Sequence, residues 1–366
     1  MGLRVNEKLN GFARNIIGSI NNQLITLQLD LTDFCVCKCA GCEHWKWPVK
    51  KSLDFDILEK NVFNHLHKFK SLQSIVLSGG EPLLHTKVEL IVRHLKNMGY
   101  NIGIITSGLG HNNLNLKSLS NDCSWIRLSS DGFTNEQYEK TRGVPLFDKW
   151  TSNLNKLMEY NQKSNCETRL NITIHEYNIN ELAPLPMKLF NFLSNNKETL
   201  YNIEVYFWLS REIINDLRQY KNDSKFYSVL QNLSFESLKT GARVFNTFCR
   251  FNIENVKRHL TIGESIHYKS CYVPQIFGLV ASDGNVFPCC YMYEPVFEYN
   301  KQEIKYVIGN INDNNLFEIY SSDRYFEIVN EFQNCNKKYD QCKYCDRFDH
   351  INDYLNKFES KQEIFL

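Results

Sequence analysis

A chain of 366 residues, 43% hydrophobic and 23% charged, excludes a disordered segment, a fibrous protein and a disulfide-stapled miniature, and can bury one large core or two ordinary ones. Lys and Arg number 42 against 41 Asp and Glu, a net charge of +1, so there is neither the basic excess that binds a nucleic-acid backbone nor an acidic tail. No run approaches about 18 uninterrupted apolar residues, so no membrane span is expected.

Residues 1–23 read as an N-terminal extension. MGLRVNEKLNGFARN lacks the apolar core of a signal peptide, and Asn6 stands where N-myristoylation needs Ser or Thr, so a cytoplasmic location is expected. LITLQLDL (24–31) is the first predicted strand, followed by a cysteine-bearing loop and an amphipathic helix near 54–69. SIVL (74–77) is a short apolar strand that ends in SGGEP (78–82), with a helix near 86–98. NIGIIT (101–106), WIRLS (125–129), TRLNITI (168–174) and NIEVYFWL (202–209) continue the strands. Helical stretches are predicted near 134–141, 147–161, 180–195 and 211–239. Six strands, each followed by helical sequence, imply an α/β fold with a parallel sheet or barrel. The rhythm breaks near residue 245. Beyond it come short segments, turns such as SDGN (282–285) and more cysteine.

The 13 cysteines are the anomaly. A reducing cytosol does not keep structural disulfides, so many cysteines there point to metal or redox chemistry. Isolated Cys123, Cys166 and Cys249 suit a role as small buried apolar residues. The other ten lie in 35–42 and 271–345. In the first group Cys35, Cys39 and Cys42 form C-x3-C-x2-C, three thiolates able to converge on one iron–sulfur cube and leave one iron free for a small molecule. Zinc would need a fourth ligand, with Cys37 and His44 the nearest candidates, and spacing alone leaves it open. Directly after the second strand, Gly79-Gly80 lets backbone approach a ligand, and Glu81 can receive an ammonium group. Thr106-Ser107-Gly108 and Ser129-Ser130-Asp131 close the next two strands, with Tyr138 and Arg142 on the following helix. In a parallel sheet these share the C-terminal edge, where α/β folds place ligands.

As an ordered set, C-x3-C-x2-C, GGEP, TSG, RLSSDG and YEKTRG resemble the radical S-adenosylmethionine (SAM) enzymes over about residues 24–210. The resemblance implies a partial (β/α)6 TIM-like barrel and a [4Fe–4S] cluster whose unique iron is chelated by SAM. Reductive cleavage of SAM then gives a 5′-deoxyadenosyl radical that abstracts a substrate hydrogen. Carried over by position, Cys35, Cys39 and Cys42 bind the cluster, and Gly79, Gly80 and Glu81 hold the SAM amino group. Ser107 and Asp131 lie near the ribose, and Ser129 and Arg142 contact the carboxylate. Where the family commonly has an aromatic residue before the third cysteine, this chain has Gly41, so Trp45 or Trp47 is expected to wall the adenine. Cys37 is expected to point away from the cluster.

In the second group Cys271 and Cys289 flank a predicted hairpin and Cys342-Lys-Tyr-Cys345 follows, a set that fits zinc or iron–sulfur on chemistry alone. After a radical SAM barrel, this frame resembles the SPASM/twitch extension, in its shorter four-cysteine form. The resemblance implies a small C-terminal cysteine-rich domain with an auxiliary [4Fe–4S] cluster on Cys271, Cys289, Cys342 and Cys345, and leaves Cys290 and Cys335 over. The expected division is 1–23, 24–245 and 246–366. The expected cofactors are two [4Fe–4S] clusters and SAM. The expected partners are a small-molecule substrate or a separately delivered peptide, and a flavodoxin- or ferredoxin-type reductant, with no nucleic acid.

Few residues precede the first strand, so no built-in peptide-recognition domain is expected. This favours oxidation of a small polar metabolite such as a sugar or cyclitol, with the auxiliary cluster as electron acceptor. The alternatives are a radical epimerase, with Cys249 or Cys290 as hydrogen donor, a peptide-modifying enzyme, and a non-enzymatic zinc-binding interaction module.

Overall fold

The computed structural model describes residues 24–42, 44–111, 114–161, 163–174, 270–290, 292–293, 306–334, 351–352 and 355–356, with the backbone of strands at 203–209 and 243–245. The helices expected at 180–195 and 211–239, and Cys249, Cys335, Cys342 and Cys345, lie outside the described residues.

All six expected strands are present: β1 (Thr26–Thr32), β2 (Ser74–Gly79), β3 (Asn101–Thr106), β4 (Trp125–Ser129), β5 (Glu167–Ile174) and β6 (Ile203–Leu209). Four more follow: β7 (Arg243–Phe245), β8 (Phe277–Val280), β9 (Asn285–Phe287) and β10 (Gly309–Asn310). The chain packs as two compact units that do not follow chain order. One gathers residues 1–30, 53–75 and 264–366, and the other 31–52 and 76–263, so the division falls inside β1 and β2.

In the unit built on residues 31–52 and 76–263, neighbouring strands run in the order β2-β3-β4-β5-β6-β7. The pairs from β3 to β7 are parallel, with Thr106 opposite Leu128 and Ser129 opposite Asn171, so β3, β4 and β5 end at one edge. Helix α2 (Val88–Asn97) buries Val88, Ile91, Val92 and Leu95, the spacing of a single helical stripe. Between β4 and β5, helix α4 (Asn135–Arg142) is N-capped by Thr134 and ends at Gly143 in the left-handed conformation. Helix α5 (Phe147–Asn161) buries Trp150, Leu154, Leu157 and Met158. Helix α3 (Leu116–Asp122) was not expected from sequence. It is a short segment whose only buried residues are Leu116, Leu119 and Ser120, too few to show periodicity, and its start depends on Asn115, which caps Ser118 N–H at 3.0 Å.

The other unit joins β1 to the C-terminal segments. Strand β8 pairs in parallel with β1 (Thr26 opposite Phe277), and β9 and β10 follow antiparallel. The expected SDGN hairpin is therefore present as β8–β9. Helix α1 (Phe55–Asn61) starts at Asp54, whose carboxylate accepts from the backbone of Asp56 and Ile57. Asn61 in turn donates to the Ile311 carbonyl at 2.7 Å. After the four-residue helix α6 (Val273–Ile276), α7 (Leu316–Ile319) and α8 (Asp323–Gln333) close this core. Phe69, Tyr320 and Tyr325 form a chain of ring contacts at 5.6 and 5.0 Å.

Gly278 shows how tight this core is. A Cβ there would lie 1.9 Å from the Tyr320 hydroxyl and 3.2 Å from Leu24. Gly278→Ala should therefore overpack the core and lower the unfolding free energy by about 1–3 kcal/mol, read as a lower denaturant midpoint with an unchanged slope.

Candidate active site

The cysteine loop, residues 33–52, has little regular structure of its own, and three sets of bonds hold it. At its base, Asp33 N–H donates to the Lys51 carbonyl at 2.8 Å and the Asp33 carboxylate accepts from Lys51 N–H at 3.0 Å. The Thr32 and Ser52 hydroxyls meet at 2.6 Å. On one flank, Lys38 and Ala40 N–H donate to the carbonyls of Arg142 and Thr141, both at 2.9 Å. Carbonyls in the last turn of a helix have no partner inside it, so the loop's amides satisfy the end of α4. On the other flank, Gly80 N–H donates to the Thr32 carbonyl at 2.7 Å and Glu81 N–H to the Phe34 carbonyl at 2.8 Å.

That second contact explains the paired glycines. A Cβ at residue 80 would sit 2.6 Å from the Phe34 carbonyl and 2.7 Å from that of Asp33, both unyielding backbone atoms. Gly79 has φ near 115°, a conformation L side chains rarely adopt. The strand end is thus bare backbone pressed against the cysteine loop.

A cavity of about 310 Å³ opens where these pieces meet. Cys35, Cys39 and Cys42 line it, together with Gly79, Gly80, Ser107, Ser129, Asp131 and Arg142, so nine of the ten barrel residues singled out from sequence are brought together. Glu81 is the exception. It is fully buried, and its carboxylate is spent inside the protein. One oxygen accepts from Leu83 N–H at 3.0 Å and from the Thr106 hydroxyl, the other from Ser107 N–H at 2.6 Å and the Ser107 hydroxyl. Burial pushes its pKa up, and the bonds from Ser107, Thr106 and Leu83 pull it back. Glu81 therefore ties the end of β2 to the end of β3.

Asp131 and Arg142 form a buried ion pair at 3.2 Å, with side chains 2% and 8% exposed. Asp131 also accepts from Thr173 N–H at 2.7 Å, which fixes it to the end of β5. Arg142 donates from Nη1 to the Cys39 sulfur at 3.4 Å. Its Nη2 is buried with no hydrogen-bond partner. Burial opposes the guanidinium charge, but Asp131 and Cys39 outweigh it and raise the pKa, so the group stays protonated.

Cys37 departs from expectation. It is 1% exposed and lines the same cavity, and its thiol is hydrogen-bonded to the sulfurs of both Cys35 and Cys39. The amides of Lys38 and Ala40, which follow it, face the end of α4. The two bonds hold the proton on Cys37 and push its pKa up. The bond from Cys37 lowers Cys35, and with the charge of Arg142 it lowers Cys39 to about 6 against the effect of burial. Burial pushes Cys42 up to about 11. Of the two tryptophans, Trp45 lines the cavity and donates to the Cys39 carbonyl at 3.1 Å, whereas Trp47 stacks on His44 at 4.3 Å. Sequence reasoning missed Thr173, which lines the cavity from the end of β5; its place on the same strand edge was the available signal.

Among the described residues no three His, Cys, Asp or Glu side chains are gathered to hold a metal ion. The thiols instead line the cavity wall, with the Arg142 guanidinium against the Cys39 sulfur. In the other unit, Cys271 and Cys289 are both buried and Cys290 is half-buried. Continuing the β8–β9 register by two residues brings Cys289 level with Phe277, back toward Cys271. No helix among the described residues is long and apolar enough to cross a membrane.

Comparison with known proteins agrees with this geometry. The family model described as the radical SAM superfamily matches residues 29–185, and the SPASM iron–sulfur cluster-binding domain matches 271–346. The tungsten-containing aldehyde ferredoxin oxidoreductase cofactor-modifying protein of Pyrococcus furiosus is 24% identical over 344 residues, 87% of this chain and 86% of that one. Among solved structures, Streptococcus suis SuiB bound to S-adenosylmethionine superposes with a TM-score of 0.62 at 14% identity, covering 88% of this chain and 72% of that one. Native anSMEcpe with bound AdoMet superposes with a TM-score of 0.57 at 19% identity, covering 88% of each. The fold is the α/β, TIM-like fold of these proteins, and a non-enzymatic zinc module is removed from consideration. Matched over residues 29–185 and 271–346, the chain carries a radical SAM domain followed by a SPASM iron–sulfur cluster-binding domain, and it is an enzyme.

Proposed function

We propose that this enzyme binds SAM and one [4Fe–4S] cluster in the cavity of the cysteine loop and uses them to oxidise a C–H bond in a small polar molecule of the sugar or cyclitol class. In this reading residues 24–245 carry the radical SAM chemistry, 246–366 carry one auxiliary cluster, and 1–23 are an extension.

The observation that carries the reading is the arrangement around Arg142. Three thiols at cluster spacing line one cavity, and beside one of them a buried guanidinium nitrogen lacks a partner. Leaving such a donor unsatisfied is costly, and a ligand carboxylate in the cavity relieves it. The residues present thus fit the cluster and SAM. Cys35, Cys39 and Cys42 would hold the cluster, the bare backbone of Gly79 and Gly80 would face the SAM amino group, and Arg142 with Ser129 its carboxylate. Glu81 would act by holding Gly80 and Ser107 in place. Trp45 would stand beside the adenine.

When bound, these groups supply a 5′-deoxyadenosyl radical that takes a hydrogen atom from the substrate, and an auxiliary cluster on Cys271, Cys289, Cys342 and Cys345 supplies an electron acceptor. Oxidation of an alcohol carbon to a ketone removes one hydrogen atom, one electron and the hydroxyl proton. A reductant of the flavodoxin or ferredoxin type would provide the electron that starts each turnover. The Pyrococcus furiosus relative is named for modifying a cofactor, which supports a small molecule as substrate.

Cys35→Ala, Cys39→Ala and Cys42→Ala should each abolish SAM cleavage, measured as 5′-deoxyadenosine under anaerobic reduction, while leaving about four irons at the auxiliary site. Cys37→Ala should keep the iron of the barrel site, because three thiolates suffice there.

Arg142→Lys keeps the charge but loses the forked donors, and should weaken SAM binding by about one to two decades with the iron content unchanged, as measured by equilibrium binding. Unchanged affinity would remove Arg142 from the site.

Turnover in heavy water separates oxidation from epimerisation. Oxidation should give a product two mass units lighter and consume one SAM per turnover. One solvent deuterium on the product carbon, lost in Cys249→Ala or Cys290→Ala, would establish the epimerase instead.

A further inference from the structure

Asn352 lies outside every motif used above, yet it is completely buried in the unit that carries Cys271. Its Oδ1 accepts from Tyr272 N–H at 2.9 Å, and its Nδ2 donates to the Cys271 sulfur at 3.4 Å. The first bond fixes the orientation of the amide. A backbone N–H can only donate, so Oδ1 must face Tyr272 and the NH2 group must face the sulfur. Four residues on, Asn356 accepts from Ser270 N–H at 3.0 Å and donates to the Ser270 carbonyl at 2.8 Å and to the Asn352 carbonyl at 2.8 Å. Between them, Cys271 N–H donates to the Phe332 carbonyl at 3.0 Å. Three consecutive backbone amides, 270 to 272, are thus pinned, two of them by asparagines one helical turn apart. An amide spent in this way in a dry interior would serve packing alone equally well if its NH2 met a carbonyl. Here it meets a thiol that the sequence frame assigns to a cluster.

We propose that Asn352 is a positioning residue of the auxiliary cluster, its side-chain N–H bonding the Cys271 thiolate and thereby raising the reduction potential of the cluster. The inference rests on the reading that Cys271 is a cluster ligand. Reduction adds negative charge to the cluster and its sulfurs, and an N–H donor stabilises the more negative state, so the bond favours electron acceptance. For a cluster that takes an electron from a substrate, this sign is the useful one.

The test is a redox titration followed by electron paramagnetic resonance, with iron analysis, in the full-length protein carrying Cys35→Ala, Cys39→Ala and Cys42→Ala so that only the auxiliary signal remains. Asn352→Leu removes the donor without adding charge. Asn352→Ser is likewise neutral, keeps an oxygen acceptor and withdraws the N–H from the sulfur, and decides the matter if the leucine variant does not fold. Asn356→Ala loosens the same backbone without touching the sulfur. The expected result is about four irons per chain in each, a more negative midpoint potential in both Asn352 variants, and an unshifted one in Asn356→Ala. An auxiliary potential unchanged in the Asn352 variants would overturn the proposal, as would an equal shift in Asn356→Ala, which would mark a general packing effect. Absence of iron with Asn352 intact would overturn the auxiliary-cluster reading itself, and the proposal with it.

Discussion

The site depends on the carboxyl end of helix α4. Its last carbonyls take the amides of Lys38 and Ala40, and its last side chain, Arg142, reaches the Cys39 sulfur and the Asp131 carboxylate. A loop with four cysteines has no apolar stripe to bury and no ladder to join, so it is ordered from outside. The helix offers orphan acceptors where the loop has free donors, and each meets the need of the other. The Asp131–Arg142 pair is expensive to bury, and breaking one partner of such a pair typically costs about 3–5 kcal/mol. That cost keeps the guanidinium at one place beside the Cys39 sulfur, with Nη2 left without a hydrogen-bond partner.

The opposite wall is built by different means. There the close approach of Gly80 to the Asp33 and Phe34 carbonyls leaves no room for a side chain, and Glu81 directs its carboxylate away from the cavity into four protein donors. Strand ends in a parallel sheet are connected only through long crossovers, so their relative height is easily lost. A single buried carboxylate that binds residue 83 on one side and residues 106 and 107 on the other fixes the β2 and β3 loops together. The ligand-facing surface of this wall is then backbone, which has no rotamers to lose on binding.

The unit with Cys271 follows the same logic with neutral groups. Asparagine side chains replace the missing ladder partners of residues 270 and 272, and the buried rings of Tyr320 and Tyr325 fill the core behind them. In both units a sulfur receives a side-chain N–H: from Arg142 at Cys39, a charged donor, and from Asn352 at Cys271, a neutral one. Hydrogen bonds to sulfur are a recognised means of setting iron–sulfur potentials. In the proposed function, the charged donor stands where an anionic ligand would bind and the neutral one where every ligand would come from the protein.

Sequence by itself determined the alternating strands, the edge on which the motifs gather, the C-x3-C-x2-C spacing and the hairpin between Cys271 and Cys289. All are local: periodicity, turn residues and short intervals are written within a few residues of one another. It did not determine which way Cys37 turns, that Glu81 faces protein, that α3 exists, or that Asn352 lies against Cys271. The turn at Cys37 is set where the amides of Lys38 and Ala40 are claimed by a helix about a hundred residues away. Glu81 looks like a ligand residue in sequence because three of the four donors that consume it sit 25 and 26 positions on. Asn352 is one asparagine among many until an 81-residue separation closes to one hydrogen bond. Chain spacing sets which residue types reach an edge. Only packing between distant segments decides where each side chain points and whether its hydrogen bonds are already spent.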